Sequence, residues 1–306
     1  MPIERQTPRE SEQYQGRGFE WPTLVIAALI YAGFAGLTWH YHALPWWLVL
    51  ALGGYLVAWH GSLQHEAVHG HPTRWPWVNE LLIFPSLWLW MPYRVYRVTH
   101  LQHHATPSLT DPIDDPESYY LTPEAWQRSG AFMRLVWRIN NTSAGRLLIG
   151  PPIVVTLLIV GQVRRLARGD TSMLLGWLLH MVSCGIVLFW VLSICHVPLI
   201  DYLIFFVYPG ISLTLLRSFL EHQADDEPQH RTVIVESNPI MSLLYLYNNL
   251  HALHHAVPHV PWYQLPSHYH KQRAALLTNN GDYRYQGYGT VILRYLLWPK
   301  EPVVHP

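Results

Sequence analysis

The chain has 306 residues, of which 50% are hydrophobic and only 13% are charged. Its 20 basic and 20 acidic side chains cancel, so it has no net basic field that would favour nucleic-acid binding. Soluble domains carry about 25% charged residues, and the low charged fraction therefore indicates a membrane protein. The 2 cysteines lie in one apolar run, which excludes a disulfide scaffold and a cysteine-ligated iron–sulfur cluster.

The first part of the chain predicts a helical hairpin in the membrane. Residues 1–20 are polar and lack the apolar core and small-residue cleavage site of a cleavable signal peptide. Apolar runs follow at 21–39 and 45–63, each close to the roughly 20 residues that a helix needs to cross the hydrocarbon core. Tryptophans stand at the ends of these runs, as is typical of a membrane–water interface.

The second part predicts another hairpin, from the apolar runs 173–195 and 198–216 and the very short turn between them. Two further stretches are shorter. The run 81–90 cannot span, and the run 147–160 contains Pro151 and Pro152 and precedes an arginine cluster. Stretches of this length are typical of interfacial or re-entrant segments, so we expect neither to cross.

The charge distribution predicts the topology. All lysines and arginines fall in 1–20, 64–172 and 217–306, which lie on the cytoplasmic side if the amino terminus does. We therefore expect an all-α, multi-pass protein of the bacterial inner membrane that forms a single domain over 1–306. Four transmembrane helices in two hairpins would carry a cytoplasmic helical cap, formed by 64–172 and 217–306.

Histidines cluster just outside the predicted spans. A first box has histidines at positions i and i+4, and two later boxes have them at i, i+3 and i+4, spacings that place the rings on one face of a helix. One more histidine directly follows the fourth predicted span. The nine candidate metal ligands are His65, His69, His100, His103, His104, His222, His251, His254 and His255.

Nine imidazoles exceed what one ion binds, because zinc takes four ligands and iron takes five or six. The count fits two metal ions that keep open positions. Imidazole suits zinc, copper, iron and nickel, so the ligands alone do not identify the metal. Polar residues near the boxes are candidates for orienting the ligand rings, with a solvated turn or helix end as the alternative: Asp111, Asp114, Asp115, Arg217, Glu221 and Asn248. Arg217 either pairs with Glu221 or meets an anionic head group.

At these boxes the chain resembles the integral-membrane fatty-acid desaturase and hydroxylase family. The resemblance covers roughly residues 55–270. It includes the boxes themselves, the segment from Asn248 to His255, the proline-rich segment 256–266 after the third box, and the acidic segment 111–116 after the second.

The resemblance implies a non-haem di-iron centre, bound by the boxed histidines, that activates O₂ against an acyl or similar chain. It also implies that His222 is a ligand, because some members have a histidine at the matching place. No haem-binding His-Pro-Gly-Gly motif is present, so we expect electrons from a separate protein such as a ferredoxin or rubredoxin with its reductase. The substrate is expected to be a lipid or fatty acyl chain, and we expect fatty-acyl desaturation.

Several alternatives remain open at this point. Hydroxylation, carotenoid ketone formation and terminal-alkene formation by oxidative decarboxylation could use the same kind of centre. The segment from His65 to His69 also matches the H-E-x-x-H pattern of zinc metalloproteases, although that site would leave seven clustered histidines unexplained. A metal transporter is a third possibility, but transport favours polar ligands inside the spans, where only His180 lies deep.

Overall fold

The computed structural model describes residues 19–306 and is mostly helical, as expected. The chain divides into two compact units. One contains the residues up to Val98 together with Gly150–Thr214, and we call it the apolar unit. The other contains Thr99–Ile149 and Leu215–Pro306, and we call it the histidine unit.

The apolar unit consists of long apolar helices joined by short turns. Prolines lie in the first turns of the helices Trp21–Trp39 and Pro76–Leu82, where the missing backbone N–H leaves no hydrogen bond unmade. Two helices continue through π-helical turns, Phe189–Ile194 and Leu203–Val207. The helices of this unit, with two that run on into the other, are α1 Trp21–Trp39, α2 Trp46–Val68, α3 Pro76–Leu82, α4 Tyr93–Ala105, α8 Gly150–Ala167, α9 Leu174–Leu188, α10 Leu199–Tyr202 and α11 Tyr208–Glu221.

Five helical segments of the described chain are long and apolar enough to cross a membrane, which agrees with an integral membrane protein. Four of them correspond to the predicted apolar runs. Two of these four, α2 and the segment that ends with α11, continue as helix for five residues beyond the predicted ends at 63 and 216. The fifth is α8. The run 147–160 was expected to be a short interfacial stretch, but the helix has 18 residues because it continues through seven residues after Val160. The five are Trp21–Trp39, Trp46–Val68, Gly150–Ala167, Leu174–Ile194 and Leu199–Glu221.

Glycines allow α2 to pack closely on the helical segment that follows Leu199. A Cβ on Gly53 would lie 2.7 Å from the carbonyl oxygen of Phe205, and one on Gly210 would lie 2.4 Å from Val57. Small residues permit this approach between helices, which would otherwise be held apart by side chains. The close packing holds α2, whose last turn carries His65, against its neighbour.

The histidine unit is built from shorter helices around an apolar core formed by residues such as Ile234, Leu253, Leu265 and Leu276, all at most 1% exposed. The unit also contains a parallel pair of two-residue strands, Ile234–Val235 and Arg284–Tyr285, which the sequence analysis did not predict. The elements are α5 Pro123–Arg128, α6 Ala131–Asn140, α7 Ser143–Leu148, β1 Ile234–Val235, α12 Pro239–Leu244, α13 His251–Ala256, α14 Leu265–Asn279, β2 Arg284–Tyr285 and α15 Tyr288–Arg294.

Candidate metal centre

Four histidines of the histidine unit bring their ring nitrogens to one place. His103 comes from α4, His222 follows α11, and His251 and His255 lie on α13. The Nε2 atom of His222 is 3.0 Å from Nε2 of His103 and 3.0 Å from Nε2 of His251. Nε2 of His255 is 3.1 Å from that of His251, and one nitrogen from each ring lies within 4.8 Å of all the others.

Acceptors behind the rings fix where the protons of His103 and His222 lie. The Nδ1 atom of His103 is 2.8 Å from the carboxylate of Asp115. Nδ1 of His222 is 3.3 Å from the backbone carbonyl oxygen of Arg231. A carboxylate and a carbonyl only accept, so in the neutral form of both rings Nδ1 carries the hydrogen and Nε2 keeps a lone pair.

The ring of His251 is held in the same way by polar groups from two elements. Its Nδ1 atom lies 2.9 Å from Oδ1 of Asn248 and 3.5 Å from Oε1 of Glu221. The amide nitrogen of Asn248 donates to Glu221 at 3.3 Å, which leaves the amide oxygen to face the histidine. Arg217 is 2.7 Å from the same carboxylate. Nδ1 of His251 therefore also carries the hydrogen, and its Nε2 is an acceptor.

With all three rings neutral, their Nε2 lone pairs point to one place, and a bound cation would relieve the mutual repulsion of these lone pairs. Metal–imidazole bonds of about 2.1 Å that meet at right angles separate their nitrogens by about 3.0 Å. The observed separations of 3.0–3.1 Å match that geometry. The residues present therefore fit a bound metal ion.

A second group of ring nitrogens lies beside the first in the same unit. Nε2 of His104 is 3.1 Å from that of His100 and 3.2 Å from that of His254. Nδ1 of His100 lies 3.0 Å from the carboxylate of Glu117, so Nε2 of His100 is again the acceptor. The rings of His104 and His255 stack with centroids 4.2 Å apart, which joins the two groups.

The first histidine box belongs to the apolar unit. His65 is in the last turn of α2 and His69 is its C-cap residue. The two rings are buried with centroids 4.8 Å apart, so they share one side of the helix end as the spacing predicted. Glu66 is also buried, and its carboxylate is 3.8 Å from Nδ1 of His65.

Burial favours the neutral form of four of these imidazoles, which is the form that binds metal. It lowers the pKa of His222, His251 and His255 well below the usual value, and the neighbouring histidines lower them further. The pKa of His104 is lowered as well, first by burial and then by His100 and His103. Burial also acts to lower the pKa of His103, but Glu117 and Asp115 outweigh it and raise that pKa.

The acidic segment after the second box divides into residues that contact histidines and residues that do not. Asp115 orients His103, whereas Asp111 accepts hydrogen bonds from the backbone N–H groups of Ile113 and Asp114 within its own turn. Asp114 is exposed. Glu117, which the sequence analysis did not single out, contacts His100, and its position two residues after Asp115 in the same turn was the available signal.

The chain is similar to known proteins over most of its length. The family model described as fatty acid desaturase matches residues 39–287, a range that includes all nine histidines. A beta-carotene ketolase from Paracoccus sp. (strain N81106 / MBIC 01143) is 27% identical to the chain over 248 residues, which cover 78% of each protein.

The resemblance seen in the histidine boxes is therefore confirmed, and the metalloprotease and transporter alternatives lose their support. The family match extends over most of the chain, far beyond the boxes themselves. The chain belongs to the fatty acid desaturase family and is an oxidoreductase.

Proposed function

We propose that the chain is a membrane-bound, O₂-dependent di-iron oxidase that acts on an aliphatic lipid chain. The observation that supports this most directly is the convergence of the Nε2 lone pairs of His103, His222 and His251, held by hydrogen bonds behind each ring. A second group, around His104, gives a place for a second ion. On the sequence pattern alone, His65 and His69 are proposed as the remaining ligands, for a total of nine.

The family is generally di-iron, and iron bound at these histidines would supply the electron chemistry that activates O₂ against an unactivated C–H bond. The protein's own part is orientation. Glu117, Asp115 and Asn248 hold the Nδ1 hydrogens of three ligands, which keeps their Nε2 atoms aimed at the site. A ligand set of neutral imidazoles leaves the positive charge of the metal uncompensated, which favours an oxidising centre.

The reaction at the carbon chain has two leading candidates. We propose fatty-acyl desaturation first, because the family model that matches is that of fatty acid desaturases. Ketone formation on a carotenoid-like ring is the second candidate, and the likeness to a beta-carotene ketolase favours it. Hydroxylation and oxidative decarboxylation to a terminal alkene fit the same centre. An external ferredoxin or rubredoxin with its reductase is proposed as the electron donor.

The proposed arrangement in the membrane is the one that the charge distribution favours. Four helical segments would cross the bacterial inner membrane as two hairpins, with the metal centre in the cytoplasm and the whole chain forming one domain. The helix α8 would not cross, because the arginines at 164, 165 and 168 at its end would then lie outside, against the positive-inside bias.

The test is expression in two bacterial hosts, one with ordinary membrane lipids and one that also makes β-carotene, followed by anaerobic purification. We expect about two iron atoms per chain. New unsaturated acyl chains would support desaturation, and a keto-carotenoid would support the second candidate. The variant His103→Ala serves as the inactive control in both hosts. A single zinc ion per chain, with no change in either lipid pool, would contradict the proposal.

A further inference from the structure

The helix α6 exposes an apolar face although it belongs to the histidine unit rather than to the membrane spans. Phe132, Leu135 and Ile139 are 74%, 54% and 42% exposed. Their spacing of three and four residues places them on one side of the helix. An exposed apolar stripe of this kind is costly in water and therefore points to a covering partner.

A second exposed apolar segment packs beside the first. Leu293, Leu297 and Trp298 are 76%, 74% and 76% exposed. Their segment is tied to the turn after α6 by backbone hydrogen bonds, from Ser143 N to Tyr295 O at 2.8 Å and from Lys300 N to Asn141 O at 2.9 Å. The two stretches are thus neighbours in one compact unit.

Basic residues outnumber acidic ones in the two stretches of chain that form this surface. Arg134 and Arg138 place their guanidinium groups 5.4 Å from the ring centroid of Trp126, on a side of α6 different from the exposed stripe. Arg128 and Arg294 add two more positive charges. Between residues 123 and 149 the sequence has one acid, Glu124. Between 286 and 301 it also has one, Glu301, whose side chain is only 11% exposed and pairs with Lys300.

We propose that this surface, formed by the exposed apolar residues of α6 and 293–298 with their arginines, lies in the head-group region of an anionic phospholipid bilayer. An amphipathic helix with arginines on its polar side and large apolar residues on the other is what binds in the plane of a membrane interface. The basic charge selects anionic head groups, since each arginine near such a surface is attracted to it. Chain continuity supports a lipid partner, because exposed Leu148 lies two residues before α8, a helix apolar enough to enter the membrane.

The test places a fluorophore on the full chain in nanodiscs that contain brominated lipids, which quench it on contact. Phe132→Cys and Leu297→Cys report on the surface. Ile113→Cys is the matched control, because Ile113 is also an exposed apolar residue of the same unit, at 80%, but lies between Asp111 and Asp114. Cys184 and Cys195 are buried, so the parent chain measures background labelling. We expect quenching at 132 and 297 to exceed that at 113 by about threefold or more.

The charge is tested by comparing phosphatidylcholine nanodiscs with ones that also contain phosphatidylglycerol. We expect phosphatidylglycerol to increase quenching at 132, and the variant Arg128→Gln/Arg138→Gln/Arg294→Gln to lose that increase. Quenching at 132 no greater than at 113 overturns the proposal, as does a Phe132→Cys chain that is shielded from lipid and instead forms disulfide-linked pairs of chains. Equal quenching with and without phosphatidylglycerol in the parent overturns the anionic preference.

Discussion

The ammonium group of Lys300 donates a hydrogen bond of 2.8 Å to the backbone carbonyl oxygen of His222, although 78 residues separate them in the chain. The hydroxyl of Tyr119 donates to the same oxygen at 2.8 Å, and Lys300 also pairs with Glu301. The side chain of Lys300 is only 3% exposed. The carboxyl-terminal segment therefore helps to hold the backbone of a proposed metal ligand.

We predict that Lys300→Met destabilises the chain and lowers its iron content. Removing one partner of a buried charge pair leaves Glu301 without the ammonium group it pairs with and costs about 3 kcal/mol of unfolding free energy. The measurements are thermal unfolding in detergent and iron per chain. The chain's other lysine, Lys271, is exposed, and Lys271→Met should behave as wild type. Equal stability of the two variants would contradict this role for Lys300.

A second prediction compares an acid that contacts a candidate metal ligand with one that does not. Glu117→Gln keeps the size of the side chain but removes the charge that faces Nδ1 of His100. Loss of such a partner typically weakens metal binding by about 10-fold to 100-fold. Asp114→Asn, three residues away and exposed, should leave metal affinity unchanged. Titration of the metal-free chain with iron under anaerobic conditions measures both, and equal affinities would refute the assignment of Glu117.

The metal-free chain should lose stability in acid. His104, His222, His251 and His255 have a lowered pKa in the folded state, so below the ordinary histidine value of 6.5 the unfolded chain binds more protons than the folded one. The stability is thus fully present above about pH 6.5 and falls as the pH drops below it, by up to about 1.4 kcal/mol per pH unit for each histidine. His103 opposes this trend, because its pKa is raised.

The measurement is the thermal midpoint of chelator-treated chain between about pH 8 and about pH 5.5. A variant that lacks one of the four groups, His255→Asn, should show a shallower decline. A midpoint that does not change across this range would mean that these imidazoles are not held neutral in the metal-free fold.

The sequence predicted much of the centre because helical spacing alone places the rings of each box together. It also predicted the segment after the second box, from which Asp115 reaches His103. It could not predict that a backbone carbonyl, that of Arg231, orients His222, because every residue has such a group. The sequence also could not predict the contact of Lys300 with His222, because this contact depends on the path of the chain over the 78 residues between them.

The helix α8 shows a different limit of the sequence analysis. The apolar run ends near Val160, and a glycine, a glutamine and two arginines follow within five residues, which suggested a short segment. Five of the seven residues at 161–167 (Gln, two Arg, Leu and Ala) are good helix formers, so the helix continues to Ala167. Hydropathy located the apolar stretch, but helix propensity determined where the element ends.

His222 gives a direct test of a ligand that lies outside the three boxes. Its Nε2 atom faces those of His103 and His251, and its Nδ1 faces a carbonyl. We predict that His222→Ala lowers iron content and activity as severely as His103→Ala, while the chain still inserts into membranes. His230→Ala is the control in the same segment, since that ring lies near Asp225 and away from the cluster. Full iron and turnover in His222→Ala would leave eight ligands and remove His222 from the site.

The last prediction concerns the number of crossings. The helix α8 is long and apolar enough to span a membrane, and only 11% of its 18 residues are buried. Its carboxyl-terminal end carries Arg164 and Arg165, and Arg168 follows, so a crossing would move three arginines to the outer side at an energetic disadvantage. We therefore predict that reporter fusions near Arg168 and after Pro306 are cytoplasmic, whereas fusions after His42 and His196 are periplasmic.

A variant can test whether these arginines are what keeps the end of α8 in the cytoplasm. Replacing Arg164, Arg165 and Arg168 together by glutamine removes the positive charge but leaves the apolar run intact. If charge is what retains the end of α8 in the cytoplasm, this variant should give a mixed signal at residue 168 while the fusion after His42 stays periplasmic. A periplasmic signal near Arg168 in the parent chain would mean that α8 crosses, and the proposed pair of hairpins would then be wrong.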